Sequence, residues 1–182
     1  MLPLGWAAWT LVVHPPPATW YMLAGLALLS GALCIRIPSM QASISVSEGF
    51  IFTAALLFGP AAATLIVAID GAVVSLSGRG RSAIRVLFGI GEPAISVCLA
   101  SLLFYGLAGV PPLWHHTMPF GPLVLPLVVM TLTYFALNTV LAGTAVWLDV
   151  GGDPAVLLRQ HAPQVALDFS VSIGLAAALV QT

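Results

Sequence analysis

The chain has 182 residues, of which 60% are hydrophobic and 6% are charged, and its mean hydropathy is +1.08. A soluble domain is roughly one quarter charged, so this chain has too few charged residues to cover a surface that faces water. The net charge of -1 comes from five arginines, no lysine and six acidic residues, which excludes a basic face for nucleic acid. Composition therefore predicts an integral membrane protein whose first partner is the lipid bilayer.

The N-terminal segment from Leu2 to Val13 is apolar but too short to cross a bilayer. About 12 residues of helix rise roughly 18 Å, whereas the hydrocarbon core is about 30 Å thick. Three consecutive prolines, from Pro15 to Pro17, end this segment. We therefore divide a single integral membrane domain, residues 1–182, into a short apolar segment at 1–18 and a helical bundle at 19–181. The first predicted crossing runs from Thr19 to Ile35.

The next segment contains a predicted extended stretch followed by a short helix. Small polar and apolar residues alternate from Gln41 to Ser47, which indicates extended backbone. Ser45 precedes Glu48 by three residues, the spacing of a capping box, so these two residues are predicted to cap a helix from Val46 to Phe58.

The Gly59-Pro60 pair combines a helix stop with a proline that suits the first turn of a new helix. Two backbone conformations are compatible with this Gly-Pro dipeptide. Either the chain reverses there in a tight hairpin, or one long helix kinks at Pro60 and continues to Ser77.

The distribution of the arginines favours the hairpin. They lie in three connections, at Arg36, from Arg79 to Arg85, and at Arg159, whereas the connection from Gly109 to Gly121 has none. A hairpin places the three arginine-bearing connections on the same side of the membrane. The positive-inside rule makes that side the cytoplasm, so the loop from Arg79 to Arg85 is predicted to be cytoplasmic.

Three further crossings are predicted, from Val86 to Leu107, from Leu123 to Leu148 and from Pro163 to Val180. When the hairpin is counted as two helices, the fold class is an all-α polytopic transmembrane bundle of about six helices. Small residues let helices approach closely, so a homodimer through a face containing Gly71 and Ser75 is a further expectation.

No enzyme is expected within these residues. The chain lacks the P-loop, HExxH, CxxC and GxSxG motifs, and without lysine it cannot use a lysine base or a Schiff base. His115 and His116 are adjacent, and helical spacing does not bring adjacent residues to one metal ion. The sequence therefore predicts no catalytic residue, no metal site and no cofactor.

Four polar residues at membrane depth are the candidates for a ligand or ion pocket: Asp70, Glu92, Asn138 and Asp168. An ionisable group inside hydrocarbon is costly and needs a partner. One interpretation is that these residues converge on a pocket for a cation, a proton or a small polar ligand. The other is that they form hydrogen bonds between helices that only fix the packing. Arg85 precedes Glu92 by seven residues and could extend toward its carboxylate.

The sequence resembles a class of bacterial membrane domain. The similar runs are SISVSEGFIFTAALLFGPAAATLIVAIDGAVVSL, then RVLFGIGEPAISVCLASLLFYGLAG after an arginine-rich turn, and YFALNTVLAGTAVWL. They resemble the N-terminal multi-pass membrane domain that precedes GGDEF diguanylate cyclase and HD-GYP phosphodiesterase modules, over roughly Ile35 to Leu179. The resemblance implies a sensory input domain of a cyclic-di-GMP-type protein in the bacterial inner membrane, with a cytoplasmic signalling module beyond the C-terminus. It assigns no catalytic residues, and the chain itself has no GGDEF, HD or GYP motif.

A second, weaker resemblance is to the substrate-binding S components of vitamin transporters. The shared features are a short helix, a Gly-Pro turn and a following helix that carries an acidic residue. This resemblance implies a subunit that binds or transports a small molecule together with a partner ATPase complex.

Overall fold

The computed structural model of the protein describes residues 2–32, 35–36, 43–44, 47–77, 82–115, 119–150 and 174. Within these ranges the chain forms six α-helices and a 3-10 turn at Leu113–His115. The helices are α1 (Leu2–Val13), α2 (Ala18–Ala32), α3 (Ser47–Phe58), α4 (Pro60–Ser77), α5 (Ala83–Ala108) and α6 (Phe120–Val150).

The regular secondary structure of the described residues is helical apart from one short antiparallel pair of strands. The strands β1 (Ile35–Arg36) and β2 (Ser43–Ile44) pair Ile35 with Ile44 and Arg36 with Ser43. The predicted all-α class is therefore confirmed in outline. Helix α2 ends at Ala32, before Ile35, the predicted end of the first crossing. Ile35 belongs to β1, and its backbone pairs with Ile44 of β2. That strand lies inside the stretch that the sequence predicts to be extended.

Several predicted features fall on residues that the structure does not describe, among them Arg79 and Arg81 of the arginine-rich loop, Arg159 and Asp168. Ser45, the predicted cap of α3, lies outside the described ranges, although α3 begins at Ser47, close to the predicted start. The last predicted helix, from Pro163 to Val180, also lies outside them except for Gly174, which is helical.

The break between α3 and α4 lies at Gly59, which has a φ angle of 92°. This left-handed conformation suits glycine, which has no Cβ to clash with the backbone. The amide of Gly59 donates to the carbonyl of Ala55 at 3.1 Å, and the carbonyl of Gly59 accepts from Ala63 at 3.3 Å. The two helices also pack against each other. The structure therefore has two packed helices here, and the alternative of one continuous kinked helix is wrong.

Two side chains from other helices hold this pair in place. The hydroxyl of Tyr105 on α5 lies 2.8 Å from the carbonyl oxygen of Ala55 and 2.7 Å from that of Leu56. These carbonyls belong to the last turn of α3, where the helix itself supplies few donors. On the other side, the indole nitrogen of Trp20 donates to the carbonyl of Ala62 at 3.3 Å.

Helix α4 lies at the centre of the described bundle and packs against α1, α2, α3 and α5. Helix α6 packs against α5, and Tyr134 of α6 meets the ring of Phe52 of α3 edge to face, with centroids 5.1 Å apart. The fully buried large side chains include Ile66, Val97, Phe104 and Met130. The core thus draws on α3, α4, α5 and α6, and α3 is buried along most of its length.

Among the residues that the structure describes, two segments are long and apolar enough to cross a membrane, Ala83–Ala108 and Gly121–Ala145. At 1.5 Å per residue each would extend over more than the roughly 30 Å of a hydrocarbon core. Large apolar side chains point outward from both helices: Ile84, Leu125 and Leu148 are each at least 70% exposed. Such surfaces are compatible with lipid.

The contact between α4 and α5 is made by small residues. A Cβ atom added at Gly71 would collide with the carbonyl oxygen of Gly89 and approach the Cα of Ile90 to 3.3 Å. Ser75 is 4% exposed, and its hydroxyl occupies the space that a Cβ on Gly89 would need. The face containing Gly71 and Ser75 is therefore used within the chain. Gly71 and Ser75 are thus occupied by α5, and the homodimer stays a prediction.

Candidate functional site

The structure brings two of the four predicted site residues into direct contact. Glu92 lies on α5 and Asn138 on α6, within the two segments that could cross a membrane. With the amide of Asn138 turned so that its nitrogen faces Glu92, that nitrogen donates to Oε1 at 2.7 Å and to Oε2 at 3.2 Å. An amide orientation is assigned from its hydrogen-bond partners, and here both partners are carboxylate oxygens.

Ser96 completes a cluster of three polar side chains. Its hydroxyl donates to Oε1 of Glu92 at 3.3 Å, and the residue is fully buried. Ser96 follows Glu92 by four residues, so the two side chains lie on the same face of α5. We refer to Glu92, Ser96 and Asn138 as the polar cluster. Ser96 is not among the predicted site residues, although its spacing of four residues from Glu92 could have indicated this contact.

The hydrogen bonds described for Glu92 come from these two neutral donors. The approach of Arg85 to the carboxylate stays a prediction. A carboxylate that accepts bonds from an amide and a hydroxyl keeps further lone pairs available. The polar cluster can thus offer oxygen ligands to a cation, or exchange a proton with a bound solute.

Pro93 alters the backbone beside the polar cluster. It lies inside α5 and has no N–H group, so the carbonyl of Gly89, four residues earlier, loses its helical donor. The same carbonyl faces Gly71 of α4. The close approach of α4 is therefore made at the point where α5 has a weakened hydrogen-bond ladder.

Asp70 and Asp168 are not part of the cluster as described. Asp70 precedes Gly71 on α4 and so lies near the level of Gly89, but its Oδ1 atom is buried without a hydrogen-bond partner among the described residues. Asp168 lies outside the described ranges. Of the four residues that were predicted to converge, the structure brings together Glu92 and Asn138.

The predicted capping residue Glu48 lies in the first turn of α3. A carboxylate is favourable there because unpaired N–H groups give a helix N-terminus a partial positive charge.

In the part of the chain that the structure covers, His, Cys, Asp and Glu side chains form no group of three that could hold a metal ion. The polar cluster is therefore the candidate site.

A double-mutant cycle measures the strength of the contact between Glu92 and Asn138. We expect Glu92→Met to lower the free energy of unfolding by about 1–3 kcal/mol, because Asn138 and Ser96 lose their shared acceptor. Asn138→Leu should also be destabilising. The double variant should lose less than the sum, by about 1 kcal/mol, because no donor at Asn138 is then left unsatisfied. Unfolding titrations in a mild detergent measure all four proteins, and additive losses would contradict a direct contact.

The fold and the site together define a class: a predominantly helical protein, two of whose described helices could cross a membrane and share a carboxylate–amide contact. No protein-family model matches the chain, and no curated protein matches it in sequence. The assignment of function therefore depends on the geometry of the polar cluster.

Proposed function

We propose that this chain is a multi-pass module of the bacterial inner membrane that senses a cation or a small polar ligand at the polar cluster. It has no catalytic activity of its own. The observation that carries the proposal is the hydrogen-bonded pair of Glu92 and Asn138, one on each of the two helices that could cross a membrane. Ionisable groups at that depth are rare because they are costly, and they commonly mark the path or the site of an ion or a ligand.

The arginines supply the proposed orientation. Arg79, Arg81 and Arg85 precede or begin α5, and the positive-inside rule places such residues in the cytoplasm. Glu92 follows Arg85 by seven residues, a rise of roughly 10 Å along a helix. In this orientation the polar cluster lies in the cytoplasmic half of the membrane.

The position of the polar cluster also suggests how a signal would be passed on. A ligand that binds Glu92 uses the oxygens that also accept from Asn138 and Ser96, so its binding changes the strength of the contact between α5 and α6. A ligand shifts a conformational equilibrium only through different affinities for the two states, and this contact provides such a difference. Together with the resemblance described above, this favours an input domain for a cytoplasmic cyclic-di-GMP-type module.

The second candidate is a subunit that binds or transports a small molecule together with a partner ATPase complex. The pair of short helices joined at Gly59 favours this candidate, because it repeats a feature of the S components that the sequence resembles. The two candidates differ in what the gene encodes after Thr182. A further apolar helix followed by a GGDEF or HD-GYP module supports the input domain.

A thermal-unfolding screen tests the site itself. The full chain, purified in detergent, is heated with chlorides of sodium, potassium, magnesium and calcium and with small polar solutes. A solute present at 100 times its dissociation constant should raise the unfolding midpoint by roughly 5–10 °C. We expect this rise in the wild type and not in Glu92→Gln, which keeps the size of the side chain but loses its charge.

The matched control is Glu48→Gln, which makes the same chemical change in the first turn of α3. It should keep the full response. An equal rise in Glu92→Gln, or no rise in the wild type with any solute, would contradict a ligand site at Glu92.

A further inference from the structure

The polar cluster has the charge and the donor types of a site for one monovalent cation. Glu92 contributes a single carboxylate, whereas Asn138 and Ser96 contribute an amide and a hydroxyl, which are both neutral. A bound monovalent cation makes the cluster neutral, and a divalent cation leaves one positive charge that the cluster does not compensate. Because a net charge away from water is costly, the cluster favours the monovalent ion.

The amide of Asn138 can serve the cluster both with and without an ion. Without an ion its nitrogen donates to the two carboxylate oxygens of Glu92, at 2.7 and 3.2 Å. A half turn about the last side-chain bond exchanges the nitrogen and the oxygen of an amide, so it places Oδ1 where the nitrogen was. Two acceptor oxygens then face each other and repel unless a positive charge lies beside them. A cation supplies that charge, so ion binding and the turned amide belong together.

The spacing of the three polar atoms suits a small ion. The amide of Asn138 lies 2.7 Å from Oε1 of Glu92, and the hydroxyl oxygen of Ser96 lies 3.3 Å from the same atom. Hard cations bind oxygen atoms at roughly 2.3–2.6 Å, and oxygens about 3 Å apart can share one such ion. The oxygen of Ser96 can take part because a hydroxyl keeps two lone pairs while it donates its proton. Ligands from α5 and from α6 can therefore hold one ion together.

The polar cluster borders open space between α5 and α6. A groove of about 520 Å³ lies there, and its lining includes Arg85, Phe88 and Leu141. Phe88 precedes Glu92 by four residues and Leu141 follows Asn138 by three, so each lies one helical turn from the cluster on the same face of its helix. The groove leaves room for water molecules that complete the coordination of an ion.

We infer that the polar cluster binds a monovalent metal cation of the size of sodium. The ligands are the carboxylate of Glu92, the hydroxyl oxygen of Ser96 and the turned amide oxygen of Asn138. The inference rests on the proposed function, which places a ligand at this cluster but leaves its chemical class open. Binding replaces a hydrogen bond between α5 and α6 with an ion bridge, so the contact between these helices depends on the ion.

Thermal unfolding at constant pH and ionic strength tests the charge of the ion. The full chain in detergent is titrated with sodium chloride that replaces choline chloride, and separately with calcium chloride. Choline carries the same charge as sodium, but its methyl groups keep oxygen ligands away from the nitrogen. We expect sodium to raise the unfolding midpoint in a saturable way and calcium to leave it near the choline value. Ser96→Ala should weaken the apparent affinity for sodium roughly tenfold, because one ligand is lost.

Asn138→Asp tests the same argument by adding charge. The two side chains have nearly the same size, but the variant gives the cluster a second carboxylate. Calcium sites are tuned by the number of charged ligands, so the preference for calcium over sodium should increase by about tenfold or more. Glu48→Gln changes the charge in the first turn of α3 and should keep the wild-type preference for sodium.

The salts also separate this inference from the proposed function. A midpoint raised by calcium or by a small polar solute but not by sodium, and unchanged in Glu92→Gln, overturns the monovalent site and leaves the proposed function standing. No response to any solute overturns both. The inference also fails if Ser96→Ala binds sodium like the wild type, or if folded Asn138→Asp keeps the wild-type preference. Where Asn138→Asp does not fold, the wild-type titrations and Ser96→Ala decide.

Discussion

Replacing Gly71 with alanine is expected to lower the midpoint of thermal unfolding by roughly 4–10 °C. The new Cβ would collide with the carbonyl oxygen of Gly89 and lie 3.3 Å from both the carbonyl carbon of Gly89 and the Cα of Ile90. These are backbone atoms of α5, so they cannot rotate away as a flexible side chain would. Helices α4 and α5 must therefore separate locally, and the bundle loses contacts at its centre.

The matched control for this prediction is Gly91→Ala. Gly91 lies inside α5, two residues after Gly89, and a Cβ built there meets no heavy atom within 4 Å. Alanine is favoured over glycine inside a helix by about 0.5–1 kcal/mol, so this variant should melt at or slightly above the wild-type temperature. Circular dichroism in detergent compares the three proteins. Equal midpoints for Gly71→Ala and Gly91→Ala would contradict the close packing of α4 on α5.

Much of the described helical structure could be predicted because it depends on local signals. The lengths of α5 and α6 follow from long apolar runs, and the break between α3 and α4 follows from Gly59 and Pro60. The side chains that secure this break were not predicted. Tyr105 reaches Ala55 over a sequence separation of 50 residues, and no local pattern shows that two such distant residues meet.

The face of α4 that contains Gly71 was predicted to be a contact surface, but the helix that contacts it could not be predicted. A row of small residues indicates that some helix approaches closely, but it does not identify that helix. In the structure this helix is α5, which carries its own glycine at Gly89 opposite Gly71, whereas the sequence analysis assigned the face to a second copy of the chain.

The candidate site was predictable in its residue types but not in its geometry. Glu92 and Asn138 stood out because polar side chains in apolar segments require partners. That they would be partners of each other depends on the register between α5 and α6, which the packing of many side chains decides. Asp70 had the same sequence signal as Glu92. Its Oδ1 nevertheless has no hydrogen-bond partner among the described residues.

The central claim is that Glu92 is a carboxyl group held at membrane depth between α5 and α6, and its chemical reactivity should differ sharply from that of a surface acid. Dicyclohexylcarbodiimide is apolar and dissolves in the hydrocarbon of a bilayer. It adds to a protonated carboxyl group and then rearranges to a stable acylurea, which increases the mass by that of the reagent. A charged, water-soluble carbodiimide has the same chemistry but stays in water.

The most direct test is therefore to treat intact membranes that contain the full chain with each reagent and to analyse the peptide bearing Glu92 by mass spectrometry. We expect the apolar reagent to modify Glu92 and the charged reagent to leave it unmodified, and Glu92→Gln should give no adduct at this position with either. If Glu92 resists the apolar reagent, or reacts equally with the charged one, it is not a carboxyl group inside the membrane and the proposed site is wrong.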